Sequence, residues 1–291
     1  MRPSFLAGSF FAVTQLFPRY RPALWAAWYD ALAQRDTAGN FLFMNYGYVP
    51  EEGLKQPILE SSDEPYRYCI QLYAHALRNI KVESADVLEV GSGRGGGGSF
   101  CVRYLKPKSY IGVDLSASAI EWCLRTQQFS NTKWIQGRAD SLPLPDASVD
   151  IVLNVESSHS YPSIPDFLSE VVRVLRPGGS FAWCDIGKPA ALAQIRAQMS
   201  EAGLVEADGH DITSNVLTAL ERVTPEREAQ ISSHVPEWLR HAFRDFAGVR
   251  GSVLYRLMRE GGLVYQMRLL RKPTVYEAYP VRGPHTARYA T

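Results

Sequence analysis

Residues 86–98 read DVLEVGSGRGGGG, and this stretch decides the fold of the 291-residue chain. Its first part, Asp86–Val90, is a short and mostly apolar run that predicts a buried strand. The glycines that begin at Gly91 let the backbone turn tightly and let a ligand come close to it, and a short predicted helix follows. A strand, a glycine-rich turn and a helix in this order indicate a nucleotide-type cofactor site.

Short strands and helices alternate on the carboxyl side of this turn. A helix over 117–127 is predicted to begin after Ser116 as its N-cap, and a helix over 164–175 is predicted to stop at Arg176-Pro-Gly-Gly. This alternation predicts an α/β fold with a mainly parallel sheet and helices on both faces. The further strands are predicted at Ser109–Asp114, Thr132–Gln136, Val149–Val155, 180–186, 203–208 and 263–271.

Three parts of the chain have a character of their own. Residues 1–80 are rich in aromatic side chains, which predicts a helical lid, although ordinary packing of core helices explains such enrichment equally well. Within the predicted cofactor-binding domain, 81–272, a charged helical insertion at about 213–260 is expected to cap the sheet between its last two strands. Residues 273–291 are predicted to form an irregular tail. The candidate substrate contacts in the lid are Tyr20, Trp28 and Tyr29.

Composition narrows the partners of the chain. Lysine and arginine total 31 against 30 acidic residues, so a net charge of +1 gives no reason to expect a nucleic acid. The four cysteines are scattered without a CxxC pair, which suits a reducing cytoplasm better than a disulfide framework or a zinc site. No apolar run reaches the roughly 18 residues of a membrane span. The apolar N-terminus favours a packed helix over a signal peptide, and we expect a homo-oligomer.

Two further motifs concern the cofactor. Asp114 closes the second predicted strand, where a carboxylate can accept hydrogen bonds from ribose hydroxyls, although helix capping also explains an aspartate there. Nicotinamide enzymes use the same acid and the same glycines. The segment 137–150, GRADSLPLPDASVD, discriminates better, because Ala139-Asp140 after the third strand can read the amino edge of an adenine. Nicotinamide enzymes have no reason to carry this segment.

These motifs together resemble a known family. EVGSGRG (89–95), GVDLS (112–116), GRADSLPLPDASVD (137–150), LNVESSHSYP (153–162) and EVVRVLRPGG (170–179) are similar to segments of class I S-adenosylmethionine-dependent small-molecule methyltransferases, in particular the phthiotriol and phenolphthiotriol dimycocerosate O-methyltransferases. The resemblance covers roughly residues 40–272. It implies a Rossmann-like sheet of order 3-2-1-4-5-7-6 with an antiparallel seventh strand. It also implies S-adenosylmethionine as cofactor and S-adenosylhomocysteine as product.

The resemblance implies a set of cofactor contacts. The acid two positions before the first glycine is expected to face the methionine half of the cofactor. The segment Asn45-Tyr-Gly-Tyr48 resembles the aromatic element that closes over the cofactor in related enzymes. The implied contacts are Tyr48, Glu89, Gly91, Gly93, Gly95, Asp114, Leu115, Ala139, Asp140 and Asn154.

Candidate catalytic groups follow the fourth predicted strand, because active sites of open parallel sheets lie at the strands' carboxyl ends. His159 can remove a proton from a hydroxyl, and Glu156 is the second candidate. Tyr161 and Asp185 are candidate substrate contacts, and Asp185 has the alternative role of orienting His159. The spacing of these oxygen ligands does not demand magnesium, so no metal is expected.

We therefore expect O-methylation of a hydroxyl on an apolar secondary metabolite or lipid-like molecule. The aromatic N-terminal layer and the absence of a charged patch in the sequence favour such an acceptor. C-methylation of a prenyl or terpenoid alkene, with cyclisation in some cases, is the alternative chemistry. An NAD(P)-binding oxidoreductase and a catalytically silent cofactor-binding subunit are the alternatives outside the methyltransferases.

Overall fold

The computed structural model describes residues 42–54, 56–235 and 237–274. The strands of the sheet are Asp86–Val90 (β1), Ser109–Asp114 (β2), Thr132–Gln136 (β3), Val149–Val155 (β4), Leu175–Gly187 (β5), Val205–Asp211 (β6) and Val264–Arg271 (β7). The helices are Arg67–Ala76 (α1), Gly96–Phe100 (α2), Ala117–Thr126 (α3), Ile164–Val174 (α4), Pro189–Glu201 (α5), Thr213–His234 (α6), Glu237–Phe246 (α7) and Val253–Arg259 (α8). A π-helical turn, Cys101–Leu105, continues α2.

The sheet has the order β3-β2-β1-β4-β5-β7-β6. β7 runs antiparallel to both β5 and β6, and the other pairings are parallel. The fold class expected from the resemblance is therefore confirmed. The chain moves outward from β1 to β3 and then returns to β4, so the loops after β1 and β4 diverge. In open sheets of this kind ligands bind at that divergence.

Two apolar layers cover the two faces of the sheet. Successive residues of a strand point to opposite faces, so Val87 joins one layer and Leu88 the other. The layer of Val87 includes residues of α1 and α2 with Tyr110 and Trp134. The layer of Leu88 includes residues of α4 and α5. All five residues of β1 are buried, as expected for a central parallel strand covered on both faces.

The insertion between β6 and β7 contains α6, α7 and α8, as predicted. It packs against the segment that precedes α1. Val49 and Asn215 exchange two hydrogen bonds, from Val49 N to Asn215 O at 3.2 Å and from Asn215 Nδ2 to Val49 O at 2.9 Å. The hydroxyl of Tyr46 donates to Phe246 O at the end of α7. The helical cap therefore holds the segment that leads into α1.

The predicted boundaries differ most from the structure at the fifth and sixth strands. Arg176-Pro-Gly-Gly does not end a helix in a loop; α4 ends at Val174 and these residues already belong to β5. Gly178, with φ +79°, accommodates an irregularity there, since β4 pairs with Leu175 and next with Ser180. The sixth strand begins at Val205, because Gly203 adopts φ +85° in the turn after α5.

Parts of the predicted organisation lie outside the described residues. These are most of the N-terminal lid, with Tyr20, Trp28 and Tyr29, and nearly all of the tail 273–291. Within the described ranges, no helix combines the length and apolar character needed to cross a membrane.

Candidate active site

A pocket lies at the carboxyl ends of β1, β2 and β4. Its wall is contributed by the glycine-rich turn, by the loops after β2, β3 and β4, and by the segment before α1. The residues that line the pocket include Tyr73 and those of the ranges 42–45, 90–94, 113–116, 137–140, 155–157 and 159–162. The sequence motifs that were singled out separately therefore meet in one place.

The glycine-rich turn has the conformation that only glycine adopts without strain. Gly91 and Gly93 have φ +78° and +51°, and both line the pocket. A Cβ on Gly91 would lie 2.3 Å from Ser157 Oγ, and a Cβ on Gly93 would lie 3.0 Å from Met44 Cε. Gly95 is not in the pocket wall, and a Cβ there would lie 2.8 Å from Trp134. The structure thus gives Gly95 a packing role in place of the predicted cofactor contact.

Asp114 is held firmly at the pocket wall. Its Oδ2 accepts a hydrogen bond from Gly93 N at 2.7 Å, and its Oδ1 accepts one from Ser116 N at 2.9 Å. The carboxylate therefore ties the glycine-rich turn to the start of α3. Leu115 lies beside it in the same wall.

The pair that is predicted to read the adenine, Ala139 and Asp140, is also present in the wall. Both residues line the pocket. Arg138 donates to Asp140 from Nε to Oδ1 at 2.8 Å and from Nη2 to Oδ2 at 2.6 Å. These hydrogen bonds lower the pKa of Asp140 below its ordinary value. Asp140 is therefore an ionised acceptor at neutral pH.

Glu89 does not reach the pocket, contrary to the predicted cofactor contact. Its side chain points to the same face as Val87, because alternate residues of a strand share a face. There it is fully buried and accepts hydrogen bonds from Tyr73 at 2.7 Å and from Tyr110. Burial raises its pKa to about 7. Glu89 therefore links β1 to α1 through Tyr73 and to β2 through Tyr110.

Asn154 also supports the wall without being part of it. It is fully buried at the end of β4. Its Nδ2 lies 2.9 Å from Val90 O, 2.8 Å from Ser157 Oγ and 2.9 Å from the hydroxyl of Tyr161. Ser157 and Tyr161 line the pocket beside Gly91. This network locks the loop after β4 onto the loop after β1.

His159 and Asp185 form a pair. His159 Nδ1 lies 2.7 Å from Asp185 Oδ1, and the histidine lines the pocket with 32% of its side chain exposed. Asp185 is fully buried and does not line the pocket, which agrees better with its alternative role of orienting His159 than with a direct substrate contact. Burial by itself raises the pKa of Asp185, but the charge of His159 and several hydrogen bonds outweigh it and lower the pKa.

Glu156 has an uncommon backbone conformation, with φ +47°. This directs its carboxylate into the pocket wall, where Oε1 accepts from Tyr46 N at 2.7 Å and from the hydroxyl of Tyr265 at 2.5 Å. Burial raises its pKa to about 7. Glu156 therefore changes charge near neutral pH inside the pocket.

Tyr48 is the remaining predicted contact that the structure places elsewhere. Its ring stacks on His75, with the centroids 4.0 Å apart, and it does not line the pocket. Residues 42–45 of the same segment do. The sequence reasoning missed Arg94, which lines the pocket with its guanidinium 3.5 Å from the ring centre of Trp122. The sequence signal that could have identified Arg94 as a pocket residue is its position between Gly93 and Gly95.

Comparisons with known proteins agree with this geometry. A family model described as a methyltransferase domain matches residues 88–183. The chain is 34% identical to the phthiotriol/phenolphthiotriol dimycocerosates methyltransferase of Mycobacterium leprae, over 91% of this chain and 95% of that one. It belongs to this methyltransferase family. A fatty-acid O-methyltransferase of Mycolicibacterium smegmatis is 37% identical, over 80% of this chain and 84% of that one.

Solved structures show the same fold. One is geranyl diphosphate C-methyltransferase from Streptomyces coelicolor A3(2), solved with Mg²⁺, geranyl diphosphate and S-adenosyl-L-homocysteine. It aligns with a TM-score of 0.58 and 18% identity, over 84% of this chain and 97% of that one. The methyltransferase described here uses S-adenosylmethionine.

The pocket suits this cofactor on its own evidence. Gly91 and Gly93 line the pocket without side chains, so a ligand can approach the backbone of the turn closely. The carboxylates of Asp114, Asp140 and Glu156 line the same pocket, and they favour a cationic ligand. Among residues 42–54, 56–235 and 237–274, no group of three His, Cys, Asp or Glu side chains is arranged to hold a metal ion.

Proposed function

We propose that this methyltransferase methylates an oxygen of an apolar, lipid-like molecule. For a hydroxyl acceptor His159 is the general base, whereas a carboxyl acceptor is already ionised at neutral pH and needs none. The observation that carries the proposal is the 2.7 Å contact between His159 Nδ1 and Asp185 Oδ1 at the pocket wall. A carboxylate acceptor keeps the proton on Nδ1, so the neutral imidazole has its lone pair on Nε2. This is the tautomer that a base needs for removing a proton from an acceptor hydroxyl.

The wall residues have separate roles toward the cofactor in this proposal. Asp114 would hold the ribose hydroxyls, Ala139 and Asp140 the adenine, and Gly91 and Gly93 would admit the cofactor to the backbone. When bound, S-adenosylmethionine supplies an electrophilic methyl group on a cationic sulfur. The protein then has to place the acceptor oxygen and exclude water.

The names of two relatives support the substrate class. One acts on dimycocerosates and the other on a fatty acid, according to their descriptions. The pocket wall also carries the rings of Phe43, Tyr73 and Tyr161, which suit an apolar ligand. The place of action that we propose is a reducing cytoplasm, since all four cysteines are free.

C-methylation of a prenyl or terpenoid alkene is the second candidate. The aromatic rings of Phe43, Tyr73 and Tyr161 at the pocket are the observation that favours it, because aromatic faces stabilise a carbocation. In that chemistry the proton leaves after the methyl group has been transferred, so no base is needed before the carbon–carbon bond forms.

The test is a methyl-transfer assay with cofactor labelled in the methyl group. Acceptors should include long-chain alcohols, phenols, fatty acids and prenyl chains of matched length. We expect label in an ether or ester of the oxygen acceptors and none in the prenyl chains. Label in the prenyl products alone would replace the proposal by C-methylation. Cofactor binding without transfer to any acceptor would favour a silent subunit.

A further inference from the structure

The carboxylate of Asp185 has more partners than His159. Its Oδ1 is also 2.8 Å from Ile186 N, and its Oδ2 is 2.9 Å from His159 N. Ser158 Oγ lies 2.5 Å from Oδ2. A fully buried carboxylate that faces several fixed donors is stabilised in its ionised form.

Ser158 in turn is bound by a tryptophan. Trp183 Nε1 lies 2.9 Å from Ser158 Oγ, and both residues are 1% exposed. An indole N–H can only donate, whereas a hydroxyl can donate and accept. Ser158 Oγ therefore accepts from Trp183, and its own hydrogen points to Asp185 Oδ2. The tryptophan thus orients the hydroxyl, and the hydroxyl orients the carboxylate.

The architecture explains why these groups meet. Trp183 and Asp185 are alternate residues of β5 and point to the same side of the sheet. Ser158 and His159 are neighbours in the short 3₁₀ turn Ser158–Ser160 after β4. β4 and β5 pair in parallel through Val155 and Cys184, so the turn lies over the end of β5.

We propose that Ser158 and Trp183 are positioning residues for the base, and that Trp183–Ser158–Asp185–His159 acts as one hydrogen-bonded chain. The inference rests on the proposed role of His159. In this chain Ser158 fixes the carboxylate so that Oδ1 meets Nδ1 of the imidazole, and Trp183 prevents the hydroxyl from rotating away. Neither residue lines the pocket.

The test is a double-mutant cycle of Ser158→Ala and Trp183→Phe, measured by single-turnover methyl transfer. Loss of a hydrogen bond to a charged group predicts that Ser158→Ala slows transfer by about 10- to 100-fold. Trp183→Phe keeps an aromatic ring and should slow transfer less. Because Trp183 acts through Ser158, the double variant should match Ser158→Ala, so the two effects are not additive. Ser148→Ala, at a half-buried serine outside the pocket wall whose hydroxyl donates to Pro145 O, is the control.

Two further readouts separate positioning from loss of structure. The affinity for S-adenosylhomocysteine, measured by calorimetry, should stay within about twofold in all variants, since neither Ser158 nor Trp183 lines the pocket. With one hydrogen-bond donor fewer, the carboxylate of Asp185 attracts the imidazolium of His159 more strongly. The acidic side of the plot of transfer rate against pH should therefore move to higher pH in Ser158→Ala. If Ser158→Ala does not fold, the same side of the plot for Trp183→Phe should move in the same direction.

The outcomes are distinct. Wild-type rates and pH profiles in Ser158→Ala would overturn the inference, as would additive losses in the double variant. If His159→Ala itself transfers at the wild-type rate, the proposed function fails, whatever the serine does. If His159→Ala is slow and Ser158→Ala is unaffected, only the inference fails.

Discussion

The backbone N–H of Tyr46 donates to Glu156 Oε1 at 2.7 Å, across 110 residues of chain. This bond fastens the segment before α1 to the loop after β4, and Tyr265 of β7 completes the site with a second donor. An acid whose pKa is raised to about 7 therefore lies where the segment, the sheet and the pocket meet.

Glu156→Gln should reduce the preference for S-adenosylmethionine over S-adenosylhomocysteine. The glutamine oxygen still accepts from Tyr46 and Tyr265, but the charge that attracts a cationic sulfur is lost. At pH 8 the ratio of the two affinities should fall on the order of tenfold, the scale of one charge interaction in a partly solvated site. The acid is ionised above its pKa, so the wild-type ratio should rise from pH 6 to pH 8 and the variant ratio should stay flat. Calorimetry with both ligands measures this.

The exposed Glu52→Gln is the matched control and should behave like the wild type. A variant ratio that still rises through pH 7 would show that another group is responsible.

His159→Ala should slow methyl transfer to a hydroxyl by about 100- to 10,000-fold, the usual contribution of a general base. The residual rate should rise with pH, because hydroxide replaces the missing base. Affinity for S-adenosylhomocysteine should be nearly unchanged. His241→Ala, at a histidine with 61% of its side chain exposed, is the control. Equal rates and pH profiles for His159→Ala and wild type from pH 6 to pH 9 would show that His159 is structural.

Asp114→Ala should weaken cofactor binding by about 1.5–3 kcal/mol, the usual scale for lost hydrogen bonds to a charged group. Part of the loss comes from the glycine-rich turn, because Asp114 also holds Gly93 N. Calorimetry with S-adenosylhomocysteine measures the change, and Asp146→Ala, with 79% of that side chain exposed, is the control. Unchanged affinity would remove Asp114 from the cofactor site.

Gly91→Ala should damage the protein more than Gly203→Ala, although both glycines have positive φ, +78° and +85°. The backbone strain is thus comparable, about 1–2 kcal/mol in each variant. Only at Gly91 does a new Cβ meet a neighbour, 2.3 Å from Ser157 Oγ, whereas nothing lies within 4 Å at Gly203. We expect Gly91→Ala to lose measurable cofactor binding and Gly203→Ala to retain it. Equal cofactor affinities in calorimetry would contradict the close packing of the two loops.

Glu89→Gln should flatten the dependence of stability on pH. The folded protein holds a proton on Glu89 up to a pKa of about 7, whereas an unfolded chain releases it near 4.5. Stability of the wild type without cofactor therefore falls as pH rises from about 4.5 through about 7, by on the order of 3 kcal/mol from this group. Urea unfolding at pH 5 and pH 8 measures the difference, with the exposed Glu121→Gln as control. If the free energy of unfolding changes by the same amount between pH 5 and pH 8 in Glu89→Gln and in the wild type, the raised pKa of Glu89 is disproved.

Strand positions were predictable where apolar runs end at turns, and β1 to β4 have the predicted bounds. The start of β5 was not, because Arg176-Pro-Gly-Gly has the composition of a helix stop, and only pairing with β4 shows that the chain is already extended.

The site shows a similar division. Asp114, Asp140 and His159 line the pocket, since they lie at the carboxyl ends of strands, and their roles toward the cofactor and the acceptor stay predictions. Glu89 and Asp185 do not line it, because the face to which a strand residue points depends on how neighbouring strands orient it. Ser158 carries no sequence signal of its own, since a serine becomes a partner of Asp185 only when β4 and β5 pair.

The connection between β6 and β7 carries the helices α6, α7 and α8. The family model ends at residue 183, before α6 begins, and β6 and β7 pair at one edge of the sheet, far from β1 and β2. A change in length or composition between residues 213 and 260 therefore leaves β1 and β2 in place. It can still reach the pocket through β7, because Tyr265 donates to Glu156 there.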